Sequence, residues 1–313
     1  MSALSRPEFH SEEAAFAHLE KIVWSDGPVC PHCGAVDRIT AVKANPAKRI
    51  RVGLHRCGHC KGQFTVKVGT VFEHARIPLH KMLQAVYLVT SSKKGVSAHQ
   101  LHRTLEITYK SAWFLLHRIR EAMRSGDLSP MGGPGVIVEA DETFIGHIKG
   151  MDRRASFHHK MKVLALVDRG TGQARTMVIE KVKAETIMAI IHANVDREST
   201  IMTDESKVYN DVRFHFAGHG RTSHARGQYV DVANDAIHSN TVEGYFSIFK
   251  RGMKGIYQHC GEQHLHRYLA EFEFRYNNRA ALGCNDTDRS VAALSGIVGK
   301  RLTYARPDGQ PQA

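Results

Sequence analysis

Acids and thiols at particular spacings mark where this sequence could do chemistry. Asp141 lies in Val136-Ile-Val-Glu-Ala-Asp-Glu-Thr-Phe-Ile-Gly146, a β-branched run that turns acidic after the Gly/Pro-rich residues 130–135. On a pleated strand, alternation puts Glu139 and Asp141 on one face and Ala140 and Glu142 on the other. A carboxylate at the end of an apolar strand is costly to bury alone, so it calls for a metal or a cation. A solvated strand end accounts for this one stretch equally well. Asp204 closes a second apolar run, Thr200-Ile-Met-Thr-Asp. Glu243 lies in Ser239-Asn-Thr-Val-Glu-Gly-Tyr-Phe-Ser-Ile-Phe-Lys-Arg-Gly252. Lys250 follows it by two helical turns, on the same face.

Two carboxylates about 4 Å apart repel by about 4 kcal/mol at an effective dielectric of about 20. A divalent cation removes that repulsion, and hard oxygen ligands on an open site suit Mg²⁺ or Mn²⁺. Asp141 and Asp204 would share one ion, Glu243 would ligate a second, and Lys250 would meet a DNA strand held there. The plain alternative for Glu243 is a capping box with Asn240 at a helix start. Glu271 and Glu273, in an aromatic-rich helical stretch, are rival third acids.

The thiols form two knuckles, Cys30-Pro-His-Cys33 and Cys57-Gly-His-Cys60. Four thiolates at this spacing can surround one tetrahedral Zn²⁺. A redox dithiol would need only one pair. The residues between and after the knuckles suit the short strands of a zinc ribbon, and a metal there staples a domain with little core of its own. Lys43, Lys48, Arg49, Arg51, Arg56, Lys61 and Lys67 add the prospect of nucleic-acid contact. Cys260 and Cys284 stand alone, without an assigned role.

The whole chain agrees with a polyanion partner. Lys and Arg number 43 against 31 Asp and Glu, a net charge of +12 with 21 His besides. Such an excess fits nucleic acid or an anionic surface. No run approaches the roughly 18 apolar residues of a membrane span. The first residues lack the apolar core of a signal peptide. The expectation is a cytoplasmic protein with no membrane partner.

Periodicity gives the elements that must position these groups. Residues 8–24 carry helix signals, with Ser11 as N-cap and Phe16, Leu19 and Val23 on one face. A helical block follows from Pro78 to Arg124. Its last two helices, joined by a tight turn at residues 104–108, are helix-turn-helix-like. Lys110, Arg118 and Arg120, beside Tyr109 and His117, are its candidate DNA-binding residues. A solvated basic face is the alternative. From Val136 the pattern reads strand, strand, strand, helix, strand, then helix. That βββαβα order is the order of a ribonuclease H-like core, a mixed sheet flanked by helices. The fold class is therefore α/β, with a zinc ribbon and a helical segment before the core. The boundaries read as 1–70 for the helix and ribbon and 76–127 for the helix-turn-helix-like segment. The core spans 135–282, and 283–313 form a C-terminal extension and tail.

Three blocks carry a resemblance: Val-Glu-Ala-Asp-Glu-Thr-Phe-Ile-Gly from Val138, Thr-Asp-Glu-Ser-Lys-Val-Tyr from Thr203, and His-Ser-Asn-Thr-Val-Glu-Gly-Tyr-Phe-Ser-Ile-Phe-Lys-Arg-Gly from His238. Together, and in this order, they resemble bacterial insertion-sequence transposases with an N-terminal zinc ribbon, relatives of the eukaryotic Merlin elements. The resemblance covers nearly the whole chain. It implies a DDE transposase that binds terminal inverted repeats, cuts strands and joins them to target DNA. It also implies a homodimer or larger assembly on double-stranded DNA, acting at the bacterial nucleoid. By position, it makes Asp141, Asp204 and Glu243 the triad, binding two catalytic ions, and Lys250 the basic residue that follows. It gives Asn240, His224 and His238 supporting places. The chain departs from it at Gly146-His-Ile-Lys-Gly, where a more Gly-rich run is expected. Two rival functions remain open: a nuclease of the same fold without strand joining, and a zinc-ribbon DNA-binding regulator whose acidic core is inert.

Overall fold

The computed structural model describes residues 2–127, 129–153, 157–223, 230 and 234–303. The chain forms two compact units, one from residues up to Arg124 together with the segment from Cys284 onward, the other from Ser125 to Gly283.

The first unit opens with helix α1, Glu12–Val23, capped by Ser11 Oγ, which accepts the Ala14 N–H at 3.3 Å. Strands β1 (Ile39–Ala41), β2 (His55–Cys57) and β3 (Gln63–Phe64) form an antiparallel sheet. Its core is small: Cys30, Cys57 and Phe64, with Trp24 edge-on to the Phe64 ring. Helices α2 (Leu79–Ser91), α3 (Ala98–Leu105) and α4 (Tyr109–Met123) follow. Ser97 and Thr108 cap α3 and α4 through their own hydroxyls. The α2 start has no local cap; the Glu12 carboxylate, from α1, accepts the N–H groups of Leu79 and His80 at 2.8 and 3.2 Å.

The second unit is built on one sheet. Strands β4 (Ile137–Ile145), β5 (Met161–Asp168) and β6 (Ala174–Ile179) form an antiparallel meander. After helix α5 (Ala184–Asn194), strand β7 (Thr200–Thr203) pairs parallel to β4, and β8 (Gly218–Arg221) parallel to β7. The resulting order is β6-β5-β4-β7-β8. Helices α6 (Asn240–Gly252) and α7 (Leu265–Asn277) complete the unit. This is the ribonuclease H-like arrangement.

Apolar clusters cover the sheet on both faces. Val163, Ala165 and Val167 meet Val242, Phe246, Phe249 and Phe272 on one side; Leu164, Leu166 and Ile201 meet Ile187, Ile191 and Tyr209 on the other. Burial on both faces explains why β5 reads as an unbroken apolar run. Phe249 is wholly buried, so Phe249→Ala is expected to cost about 3–5 kcal/mol. Denaturant titration of the full-length protein measures this; a change within error would remove α6 from the core.

Two details differ from the sequence reading. β4 runs on to Ile145, so Asp141 lies inside the strand, two residues past its last pair with β7, Glu139 with Met202. β8 carries no strand signature, because glycines hold two of its four positions. At Gly220 a Cβ would stand 2.3 Å from Met202 Sδ, so close packing on β7 leaves no room for the usual strand side chain.

The chain then returns to the first unit. Helix α8, Asp286–Ser295, starts with a capping box between Asn285 and Asp288. Arg289 Nη1 donates to the Thr90 carbonyl at 3.0 Å, and Lys300 Nζ to the Ala122 carbonyl at 2.9 Å. The ribbon, the helical segment and the extension, which sequence periodicity separates, thus share one unit. Among the described residues, no helix is long and apolar enough to cross a membrane.

Candidate active site

Parallel pairing brings the first two acids level. The register of β4 on β7 runs Ile137 to Thr200, Val138 to Ile201 and Glu139 to Met202. Asp141 and Asp204 each lie two residues past the last of these pairs, and the Asp204 charge acts on the Asp141 carboxyl. Asp204 follows the last residue of β7, where its Oδ1 accepts the Ser206 N–H at 2.9 Å. Burial, followed by the charges of Glu142 and Asp204 and lastly of Glu243, pushes the Asp141 carboxyl up to about 8. The Glu142 N–H, donated to Asp141 Oδ1 at 2.8 Å, works against that rise. Glu142 belongs to the opposite face, where burial raises its carboxyl and the Tyr209 hydroxyl, donating to Oε2, lowers it.

Glu243 stands in the first turn of α6, where it accepts Ser239 Oγ at 3.0 Å on Oε1. The Asn240 capping box does not form. Ser239 is the N-cap, and the helix start is capped from β4: Glu139 accepts the Val242 N–H at 2.8 Å and Thr241 Oγ1 at 2.7 Å. The cation that Glu139 requires is Arg169, whose Nε donates to Oε1 at 2.6 Å. Asn240 is exposed, and its N–H reaches His238 Nδ1 at 3.3 Å. Burial, then Arg169, lowers the His238 pKa. Lys250 lies two turns beyond Glu243, with Nζ 5.9 Å from the Phe246 ring centre. His224 lies outside the described residues.

The rival acids are occupied elsewhere. Glu273 accepts Thr176 N–H and Oγ1 at 2.8 and 2.9 Å, and Glu271 pairs with Arg275 and Tyr257. Asp141, Asp204 and Glu243 form a looser set, joined electrostatically at Asp141. Among the described residues, only the four cysteines gather ligand atoms within 4.8 Å of one another. Hard oxygens around a carboxyl that resists ionisation still make a donor set suited to a divalent cation.

The cysteine cluster fits a metal closely. Sγ of Cys30 lies 3.7 Å from that of Cys60, and Sγ of Cys33 lies 3.7 Å from that of Cys57. Metal–sulfur bonds of about 2.3 Å in a tetrahedron separate sulfurs by about 3.8 Å. Backbone N–H groups of Cys60 and His59 hold the Cys57 thiol down at about 6. The Ala35 N–H pulls Cys33 the same way, but burial and the other thiols push it up to about 12. Cys57 therefore gives a thiolate easily, and Cys33 resists doing so.

The basic face expected on α4 is not open. Lys110 is exposed in the first turn, whereas Arg118 and Arg120 are 8% and 1% exposed, and His117 is 1% exposed. The last turns of α4 are enclosed by neighbouring helices, so residues spaced as a surface stripe become core. Arg118 stacks over Phe114 at 4.8 Å and lines a cleft of about 720 Å³ with His74, Arg76 and Arg301. Sequence reasoning also missed Arg169, Tyr209 and Ser239. Ser239 had the signal of a polar residue before a helix; Arg169 had none, since it reads as part of a turn.

Comparison with known families gives two matches: an ISXO2-like transposase domain over residues 131–277 and a transposase zinc-ribbon domain over residues 10–63. A protein of the transposable element ISH50 from Halobacterium salinarum, itself uncharacterised, is 29% identical over 290 residues, covering 85% of this chain and 91% of its own. Among solved structures, the catalytic core domain of HTLV-2 integrase with magnesium aligns at a TM-score of 0.27 and 15% identity, over 44% of this chain and 84% of that one. A simian T-cell lymphotropic virus intasome in complex with the PP2A regulatory subunit B56 gamma aligns at 0.29 and 16% identity, over 62% and 65%. The fold assignment rests on the strand order, not on these superpositions.

Proposed function

We propose that this chain, which matches an ISXO2-like transposase domain and a transposase zinc-ribbon domain, is an insertion-sequence transposase that binds the terminal inverted repeats of its element, cuts DNA there and joins the ends to target DNA. One observation supports this above all: Asp141 on β4, Asp204 just beyond the neighbouring strand β7, and Glu243 in the first turn of α6 act on one another electrostatically at a largely buried carboxyl. In this reading Asp141, Asp204 and Glu243 hold two divalent ions, Mg²⁺ or Mn²⁺. Bound there, such ions activate an attacking hydroxyl and stabilise the leaving oxygen of an in-line displacement. The three carboxylates act as acceptors only, and no side chain of the protein serves as nucleophile.

Lys250, farther along the helix that carries Glu243, is assigned to a DNA phosphate. Asn240 and His238 flank the helix start and are assigned to the same strand; a part for His224 rests on the sequence resemblance alone. The four cysteines are assigned one structural Zn²⁺, and Lys110 at the α4 start a DNA contact. The net charge of +12 favours a polyanion. Joining two ends calls for a homodimer or larger assembly, at work on the nucleoid in the cytoplasm.

The test supplies pre-cut ends, supercoiled target DNA and Mg²⁺ to the full-length protein. Joined product is expected. Hydrolysis without joining would favour a nuclease of the same fold, and DNA binding indifferent to Mg²⁺ without cleavage would favour a regulator with an inert core.

A further inference from the structure

Strand β4 carries three acids, and Glu139 is the one already held by protein donors on both oxygens. Its side chain is fully buried, and both oxygens are engaged. Oε1 accepts Arg169 Nε at 2.6 Å and Thr241 Oγ1 at 2.7 Å; Oε2 accepts the Val242 N–H at 2.8 Å. Arg169 in turn holds the approach to α6. Its Nη1 donates to the Ala236 carbonyl at 2.6 Å, and its Nη2 to the His238 carbonyl at 2.7 Å and to His238 Nδ1 at 2.8 Å. Adjacent strands β4 and β5 thus clasp the residues leading into the helix and its first turn.

We propose that Glu139 and Arg169 are positioning residues that fix the start of α6, and with it the Glu243 carboxylate, against the strand bearing Asp141, neither of them being a metal ligand. The inference rests on reading the three acids as a metal-holding set.

Orientation passes along a short path. Val242, whose N–H is fixed, directly precedes Glu243. Ser239, next to the His238 that Arg169 holds, donates to Glu243 Oε1 at 3.0 Å. Because His238 Nδ1 accepts from Arg169, the ring proton is assigned to Nε2.

The test titrates Mn²⁺ into the full-length protein by calorimetry, comparing wild type with Glu139→Gln, Arg169→Lys and Asp141→Asn. Loss of a residue that orients a ligand typically weakens metal binding by roughly 10–100-fold. That loss is expected for Glu139→Gln and Arg169→Lys, with cleavage recovering as Mn²⁺ is raised and DNA binding unchanged. The ¹⁵N signals of His238 should lose their Nε2–H pattern in Arg169→Lys. Mn²⁺ affinity equal to wild type in both variants would make the clasp merely structural and overturn the proposal. A loss as complete as that of Asp141→Asn, without recovery, would make Glu139 a ligand and overturn it equally. If Glu139→Gln does not fold, Thr241→Val, which removes one bond and leaves the ion pair, is expected to show a smaller loss of the same kind, and unchanged affinity there counts against the clasp. A wild type that takes up no Mn²⁺ overturns the metal reading and this inference together. A wild type that binds, with variants unaffected, overturns the inference alone.

Discussion

Asp141→Asn is expected to leave the full-length protein able to hold the ends of its element and unable to cut them. A carboxylate that carries a metal contributes several kcal/mol to stabilising charge in the transition state, so the rate should fall by about a hundred- to a thousand-fold or more. DNA binding, measured by anisotropy of the zinc-loaded protein without added Mg²⁺ or Mn²⁺, should not change. Stability should move the other way. In the metal-free protein the Asp141 carboxyl titrates at about 8, against an ordinary 3.8. Between those values the folded state keeps a proton that the unfolded chain releases, so its contribution to stability falls as pH rises from about 4 to about 8 and is level beyond. Asn carries no such proton, so the variant should lose less stability over that window. Metal binding displaces the same proton, and Mn²⁺ affinity should climb with pH until about 8. Unfolding midpoints of the zinc-loaded protein, without added Mg²⁺ or Mn²⁺, at pH 5 and pH 8 decide the matter. If wild type and variant shift alike, Asp141 is not the buried acid; if the variant still cuts, Asp141 leaves the site.

Cys57→Ser, or removal of zinc by a chelator, should unfold the ribbon. Strands β1, β2 and β3 have three, three and two residues, and their buried cluster is Cys30, Cys57 and Phe64. So small a core does not offset the entropy of ordering the loops around it. Structural zinc sites contribute on the order of 10–16 kcal/mol of apparent folding energy at neutral pH, enough to decide the fold of this segment. Zinc content near one per chain, falling toward zero in the variant together with loss of Trp24 fluorescence structure, is the expected result. A variant that keeps the native Trp24 signal without metal would show that packing alone suffices.

The local physics was legible in the sequence. Cysteine spacing foretold a cluster whose sulfurs do lie 3.7 Å apart in pairs. Apolar and β-branched runs marked β4, β5 and β7. What stayed hidden was how polar groups choose distant partners. Glu139 and Arg169 are 30 positions apart, and nothing in a turn of Arg-Gly-Thr-Gly announces that its arginine will hold a helix start. Arg118 and Arg120 were misjudged for a related reason. Charge suggests surface, yet the guanidinium of Arg118 packs on an aromatic ring and Arg120 is almost wholly enclosed. β8 carries no strand signal because two of its four residues are glycine.

The late return of the chain has a consequence for its synthesis. Arg289 bonds to Thr90 from 199 positions downstream, and Leu294 and Ile297 are buried within the amino-terminal unit. A ribosome must therefore translate the entire ribonuclease H-like core before the unit it began with can close. A message interrupted after that core yields a protein whose first unit is never finished. A frameshift or early stop beyond the core would thus undo the first unit together with the tail.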